Sequence, residues 1–243
     1  MRPPVLLIHG TFSRPAFWSP WIERLEAEGY ACHARALPGR DPTDEDTLRS
    51  VGLREHLDVV RAARDRFEAP PIVIGHSMGG LLAQKLAAAT DTAALVLVAS
   101  VPPGTLWAQP STLPALARLM PRILKGAPIL PPPKTMRSIP LSTLAPEEQE
   151  EVVPKMVRDS GRAFRSLVFG SRVTRIPRGA VRCPVLCVSG GADRNVSAWL
   201  SRRVAVRYGA EHHIHPGKPH WIIAESAVDD VLPPILDWLR RAT

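Results

Sequence analysis

The 243-residue chain is short of several things whose absence removes whole classes of protein. It has three cysteines, Cys32, Cys183 and Cys187, an odd number, and with only Met1-Arg2-Pro3-Pro4 ahead of the short apolar run Val5-Leu6-Leu7-Ile8 no secretory leader is expected. Reduced thiols in the cytoplasm are therefore expected rather than a disulfide framework. Cys183 and Cys187 flank Pro184-Val185-Leu186 without further Cys or His at ligand spacing, which points to packing and not to zinc. No internal repeat and no Ser/Gly-rich linker divides the chain, so a single domain with a substantial core is expected, and nothing in it suggests stable membrane insertion. Acidic residues are also in deficit, with 31 Lys and Arg against 23 Asp and Glu and a formal charge of +8. The basic residues are mostly single Arg scattered among acids, with no nucleic-acid motif beside them, so no nucleic-acid partner is expected. One local excess runs through Arg158, Arg162, Arg165, Arg172, Arg175, Arg178 and Arg182, with Asp159 the only acid inside it. It reads as a solvated face, the alternative being a patch that steers an anionic substrate or partner.

What is present is an alternation of strand and helix patterns. Val5-Leu6-Leu7-Ile8, Pro71-Ile72-Val73-Ile74, the run from Ala93 to Ser100, and Val185-Leu186-Cys187-Val188-Ser189 are continuously apolar, as strands buried on both faces of a parallel sheet are. Tyr30 to Ala36 and Glu211 to His215 are weaker strands nearer the edges. Between them, Trp18, Ile22 and Leu25 recur at helical spacing, a single long helix is expected from Thr47 to Phe67, and another from Ser197 to Tyr208. In the last segment, Pro233 and Pro234 are tolerable only near a helix start, so that helix is expected to begin with Asp230 near its cap. This alternation predicts an α/β fold with a mostly parallel central sheet flanked by helices. It stops at Val101 and resumes at Cys183. Residues 102–182 are rich in Pro yet hold helical patterns at Leu113-Leu116-Leu119-Met120-Ile123 and Phe164-Leu167-Val168, so they are expected to form a helical cap inserted after the strand ending near Ser100. The core would then be residues 1–101 and 183–243.

The chain is organised around Gly75-His76-Ser77-Met78-Gly79-Gly80, which follows one apolar strand and opens into the helix pattern from Leu81. Gly two places either side of Ser77 suits a sharp strand-to-helix turn that pushes the hydroxyl into the open, with the Met78 N–H at a helix N-terminus. The plainer alternative is a Ser that caps a helix after a Gly turn. A Ser hydroxyl is a weak nucleophile without a base and a group to orient that base. Candidates stand at the ends of later strands: Asp193 in Gly190-Gly191-Ala192-Asp193-Arg194-Asn195-Val196, whose plainer role is a turn cap, and His220 in Pro216-Gly217-Lys218-Pro219-His220-Trp221. Eight histidines are present. His76 is expected to point away from the site and His9 to matter through its backbone, while His212 and His213 lie within a strand. His215, at that strand's end, is the rival base.

Together these segments resemble the α/β-hydrolase fold family in the order Ser, acid, His, and more narrowly its small esterase, lactonase and methylesterase-like members, to which Trp18, Trp21 and Leu37-Pro38-Gly39 are also similar. The resemblance implies Ser77 as nucleophile, His220 as base, Asp193 as the carboxylate that orients it, and the backbone N–H groups of Thr11 and Met78 as oxyanion hole. Pro219 departs from the Gly that usually precedes the family's His. The expected activity is cofactor-independent hydrolysis of a carboxylic ester, lactone or thioester through an acyl-enzyme, on a small apolar substrate lined by Phe12, Trp107 and Trp221. Two rivals share the fold: a C–C lyase or perhydrolase, hinted at if Lys125 or Lys134 reached the pocket, and a ligand receptor without turnover. Monomer and homodimer are both open.

Overall fold

The computed structural model describes residues 2–40, 45–105 and 108–243. Six strands form one sheet in the order β2-β1-β3-β4-β5-β6, with every neighbouring pair parallel. They are β1 Val5–Ile8, β2 Cys32–Ala34, β3 Ile72–His76, β4 Ala94–Val98, β5 Val185–Gly190 and β6 Glu211–His215. The four central strands are buried throughout, as continuous apolar runs require, while β2 and β6 stand half-buried at the two edges.

Alternate residues of each strand face opposite sides, and each side has its own core. Val5, Leu7, Ile72, Ile74, Val96 and Val98 pack with Trp18, Trp21 and Leu25 around α1 (Ser19–Ala27) and with Ile235, Trp238 and Leu239 of α10 (Val228–Ala242). Leu6, Ile8, Val73, Leu95 and Leu97 pack with Leu57 and Val60 of α3 (Leu53–Arg64), Leu81 and Leu82 of α4 (Met78–Ala87), and Val204 of α9 (Ala198–Tyr208). At about 1.5–3 kcal/mol for each fully buried aliphatic side chain, these two faces are the main source of stability.

Two elements differ from the sequence-based expectation. The single helix from Thr47 to Phe67 is in fact two, α2 (Glu45–Ser50) and α3, separated at Val51 and Gly52. The Ser160 hydroxyl donates to the Val51 carbonyl at 2.5 Å, and Gly52, extended at φ −135°, donates its N–H to the Glu55 carboxylate at 2.7 Å. A carbonyl engaged from outside and a fresh N-terminal cap end one helix and start the next. The last helix starts at Val228, not near Asp230, so Pro233 and Pro234 lie inside it. Val228, Val231, Leu232, Ile235, Leu236, Trp238 and Leu239 are all buried along α10, and that burial outweighs a cost of about 3 kcal/mol for each interior proline.

The segment between β4 and β5 holds α5 (Leu113–Lys125), α6 (Pro133–Ser138), α7 (Pro146–Val152) and α8 (Gly161–Phe169). Pro begins α6 and α7, and Glu147 and Glu148 occupy the first turn of α7, where the helix dipole favours acids. The seven arginines from Arg158 to Arg182 are all exposed, whereas Asp159 in their midst is fully buried.

Candidate active site

Ser77 stands alone between β3 and α4, at φ 55° and ψ −119°. A positive φ is uncommon for a side-chain-bearing residue, and the surrounding glycines make the turn possible. A Cβ on Gly75 would lie 2.5 Å from the Gly79 carbonyl oxygen, and one on Gly79 would lie 2.2 Å from the Ile8 oxygen. The Ser77 N–H donates to Val98 and its carbonyl accepts from Val101, both at 3.0 Å, which pins the turn to the end of β4. The hydroxyl makes no capping bond to α4, so it does not act as a helix cap.

It faces His220 instead. The Ser77 Oγ lies 3.0 Å from His220 Nε2, and His220 Nδ1 lies 2.8 Å from Asp193 Oδ2. All three residues are buried. A carboxylate only accepts, so the Nδ1–H donates to Asp193, leaving Nε2 with a lone pair for the Ser77 proton. The other oxygen of Asp193 accepts from the N–H groups of Asn195 and Val196 at 2.7 and 2.9 Å. Asp193 thus serves both as turn residue and as partner of the imidazole, one oxygen for each. The His220 loop is docked against the end of β5: Ala192 donates to the Lys218 carbonyl at 3.0 Å, and a Cβ on Gly190 would lie 2.2 Å from that same oxygen.

The other histidines fall differently from expectation. His76 does not point away: its Nε2–H donates to the His220 carbonyl at 3.0 Å, and its ring lies edge-on to Trp221 at 5.7 Å. Burial, with His220 beside it, pushes its pKa down to about 3, so the ring stays neutral. His9 acts through its ring as well as its backbone. Its Nδ1–H donates to the Gly10 carbonyl at 3.0 Å and Nε2 accepts from the Leu37 N–H at 3.2 Å, joining the end of β1 to the loop after β2. Burial and the nearby Arg40 hold His9 well below the usual histidine range. His215 sits half-buried on β6, where its carbonyl accepts from the Gly191 N–H at 2.9 Å, and it lines no part of the cavity at Ser77.

That cavity, about 120 Å³, is walled by Phe12 and Trp221 from the sheet side and by Leu116, Leu119, Met136 and Phe164 from α5, α6 and α8. No Lys, Arg, Asp or Glu is among its described lining residues. Lys125 and Lys134 are exposed and do not reach it. Trp107 lies outside the described residues. Thr11 lines the cavity, while the Met78 side chain is buried in the core and only its backbone borders Ser77. Among the described residues, neither the Thr11 nor the Met78 N–H has a protein acceptor.

A third feature was not foreseen. The carboxylate of Asp159, from the segment just before α8, accepts from the Phe12 N–H at 3.1 Å, from the Ser160 N–H at 2.7 Å and from Arg40 Nη1 at 2.9 Å. Both side chains of the Arg40–Asp159 pair are buried, and His56 Nε2 lies 3.9 Å from the second carboxylate oxygen. Desolvation, with Arg40 adding to it, pushes His56 down to about 4. The one available signal was the lone acid in an arginine-rich run.

Among the described residues no group of three or more His, Cys, Asp or Glu is placed to hold a metal ion, and no helix is long and apolar enough to cross a membrane. Over 76 residues the chain is 37% identical to a pyrethroid hydrolase of Sphingobium wenxiniae, a stretch that makes up 31% of this chain and spans only 27% of that protein's length. A solved monoacylglycerol lipase of Paleococcus ferrophilus shares the fold at TM-score 0.77, covering 100% of this chain and 97% of that one at 21% identity. A methylesterase from Arabidopsis does so at TM-score 0.73, covering 99% and 98% at 15% identity. The family model described as the alpha/beta hydrolase family matches residues 5–233, from β1 into the last helix and across both strand ends that supply Ser77 and His220. On that match, and with an all-parallel sheet in the order observed, the chain belongs to the alpha/beta hydrolase family.

Proposed function

We propose that the protein is a serine hydrolase that cleaves a small apolar carboxylic ester through an acyl-enzyme on Ser77. The observation that carries this reading is the buried chain from Ser77 Oγ to His220 Nε2 and from His220 Nδ1 to Asp193, opening on a cavity with no Lys, Arg, Asp or Glu among its described lining residues. Ser77 Oγ attacks the ester carbonyl carbon as its proton passes to His220 Nε2. The carbonyl π electrons move to the oxygen, which meets the N–H groups of Thr11 and Met78. Collapse of this adduct breaks the ester C–O bond, the leaving alkoxide takes the proton from His220, and the acyl group stays on Ser77. Water then attacks the acyl carbon as His220 Nε2 accepts its proton, the C–Oγ bond breaks, Ser77 Oγ takes that proton back from His220, and the acid departs.

The β4–β5 segment acts here as a cap that shapes the acyl or aryl site. A cavity of about 120 Å³ favours a short acyl chain or a single ring over a long chain, being smaller than the few hundred Å³ usual for larger ligands. Names such as methylesterase and monoacylglycerol lipase among proteins that share the fold fit ester cleavage. The lyase reading has lost its specific hint, since neither Lys125 nor Lys134 faces the cavity. Stopped-flow mixing with p-nitrophenyl butyrate is expected to show a burst of nitrophenol near one equivalent or saturable steady turnover. Ser77→Ala abolishes both. Full activity in Ser77→Ala overturns the proposal.

A further inference from the structure

A charged pair whose side chains are only 3% and 0% exposed, built from residues far apart in the chain, needs a reason to exist, because moving two ions out of water costs several kcal/mol each unless every contact is used. Arg40 comes from the loop after β2 and Asp159 from the segment just before α8, and they meet at 2.9 Å beside the Thr11-Phe12 loop. That loop is unusual in its own right. Phe12 has φ 58°, the left-handed region, without being glycine, so some neighbour must hold it there. The holding contacts all come from one short stretch. Val157 donates its N–H to the Phe12 carbonyl at 3.1 Å, and Asp159 Oδ2 accepts the Phe12 N–H at 3.1 Å. The Phe12 peptide is thereby gripped from both ends, while its ring packs against Phe164 of α8 at 5.6 Å.

Asp159 is itself held in place. Its backbone pairs in both directions with Ile129, at 2.8 and 2.9 Å, and its second oxygen accepts the Ser160 N–H. Arg40 reaches the first oxygen and also donates to the Arg158 carbonyl at 3.3 Å. The carboxylate therefore reaches the loop from a rigid mount.

We infer that Asp159, neutralised by Arg40, is a positioning residue that holds the Thr11-Phe12 peptide so that the Thr11 N–H meets the oxyanion formed at Ser77. This rests on the hydrolase reading above. The Phe12 N–H and the Thr11 N–H belong to consecutive peptides, so fixing the first limits the orientation of the second. A small misplacement of an oxyanion donor costs rate without costing substrate affinity, because the donor is used fully only when charge has moved to the oxygen. The same bonds tie the β4–β5 segment to the loop after β1, so the wall of the cavity and one half of the oxyanion hole are set together.

The test uses Asp159→Asn, which keeps shape but turns one acceptor edge into a donor that must oppose either the Phe12 or the Ser160 N–H. Loss of a whole oxyanion donor costs about 10²–10³ in kcat, so partial misplacement is expected to cost about 10–100-fold with KM unchanged within about threefold. The inhibition constant of an arylboronic acid, whose tetrahedral adduct on Ser77 places an oxygen in the same hole, is expected to rise in proportion to the fall in kcat. Arg40→Lys keeps the charge but not the planar fork and is expected to show the same pattern at about 3–10-fold, which provides a reading if the Asn variant does not fold. Unchanged kcat in a folded Asp159→Asn or Arg40→Lys overturns the inference. So does a loss of activity with boronate affinity intact, which assigns the pair to stability alone. Absence of ester hydrolysis in the unaltered protein instead overturns the function it rests on, and the two failures are distinct.

Discussion

The sheet and the segment between β4 and β5 divide the work of the site unevenly. Every member of the Ser77, His220 and Asp193 chain sits on a turn that leaves the end of a parallel strand or follows one: Ser77 is held by backbone bonds to Val98 and Val101, Asp193 by the Gly190 carbonyl and the Asn195 and Val196 N–H groups, and His220 by its carbonyl, which accepts from His76 Nε2. The β4–β5 segment contributes none of the three. It supplies apolar walls, Leu116, Leu119, Met136 and Phe164, and one buried carboxylate, Asp159, that reaches back to the loop after β1. The difference teaches where each kind of change should be felt: alterations at the strand ends should act on the chemistry, and alterations on the inner face of α5 should act on which substrate is taken.

The largest break in this comparison comes from the proposed base, His220. His220→Ala is expected to lower kcat by about 10⁴-fold or more and to remove the acidic limb of the kcat/KM profile, since the residual rate no longer depends on a neutral imidazole. His215→Ala is expected to stay within about threefold of the unaltered enzyme, because its ring lines no part of the cavity. Initial-rate profiles from pH 5 to 9 check both, and a collapse confined to His215→Ala would show that the strand-edge histidine is the base.

A smaller effect sharpens the other half. Leu119→Trp places extra volume in a cavity of about 120 Å³ from the α5 side. It is expected to leave kcat/KM for an acetyl ester within about threefold while lowering that for a hexanoyl ester by about 10-fold or more, from a loss on the order of 1–3 kcal/mol. Equal losses on both esters would mean that α5 governs the chemistry and not the fit.

The smallest effect concerns stability. His56 is buried beside Arg40 and Asp159 with its pKa pushed down to about 4, so the folded protein holds it neutral while the unfolded chain protonates near the usual 6.5. Below about pH 6.5 the unfolded state binds the extra proton, so stability falls as pH drops from there toward 4, and none of this loss is present above about pH 7. Between pH 7.5 and 5 the share from His56 is about 1–2 kcal/mol. His9 and His76, also held neutral by burial, act in the same direction. Urea midpoints of His56→Leu are expected to fall less between these two pH values than those of the unaltered protein, and an identical fall would remove His56 from the account.

The same division governs what could be read before the structure. The strand-to-helix turn from Gly75 through Gly80 is legible because it is local: its strand, glycines and helix are adjacent in sequence, and sterics alone dictate the spacing. Asp193 and His220 are legible as candidates because each follows a strand-like run, and parallel topology delivers such positions to one edge. The Arg40–Asp159 pair was not legible. Nothing local marks it, and Asp159 meets Phe12 across 147 residues, so its surroundings read only as a basic surface run. His76 departs from its sequence-based expectation because the turn at Ser77 reverses direction but the strand before it still aims its last side chain toward the His220 loop. The break at Val51 and Gly52 depends on a hydroxyl donated by Ser160, again a distant residue. Pro233 and Pro234 sit mid-helix because burial along α10, a tertiary quantity, overrides a local rule.

The proposed chemistry comes down to a covalent bond at one atom, Ser77 Oγ. Acid quench of the enzyme milliseconds after mixing with p-nitrophenyl butyrate, followed by intact mass and peptide mapping, is expected to show one butyryl group per chain, located on the peptide that bears Ser77 and absent from Ser77→Ala. Turnover of the ester with no acyl group on Ser77, or an acyl group that persists in Ser77→Ala, would contradict it.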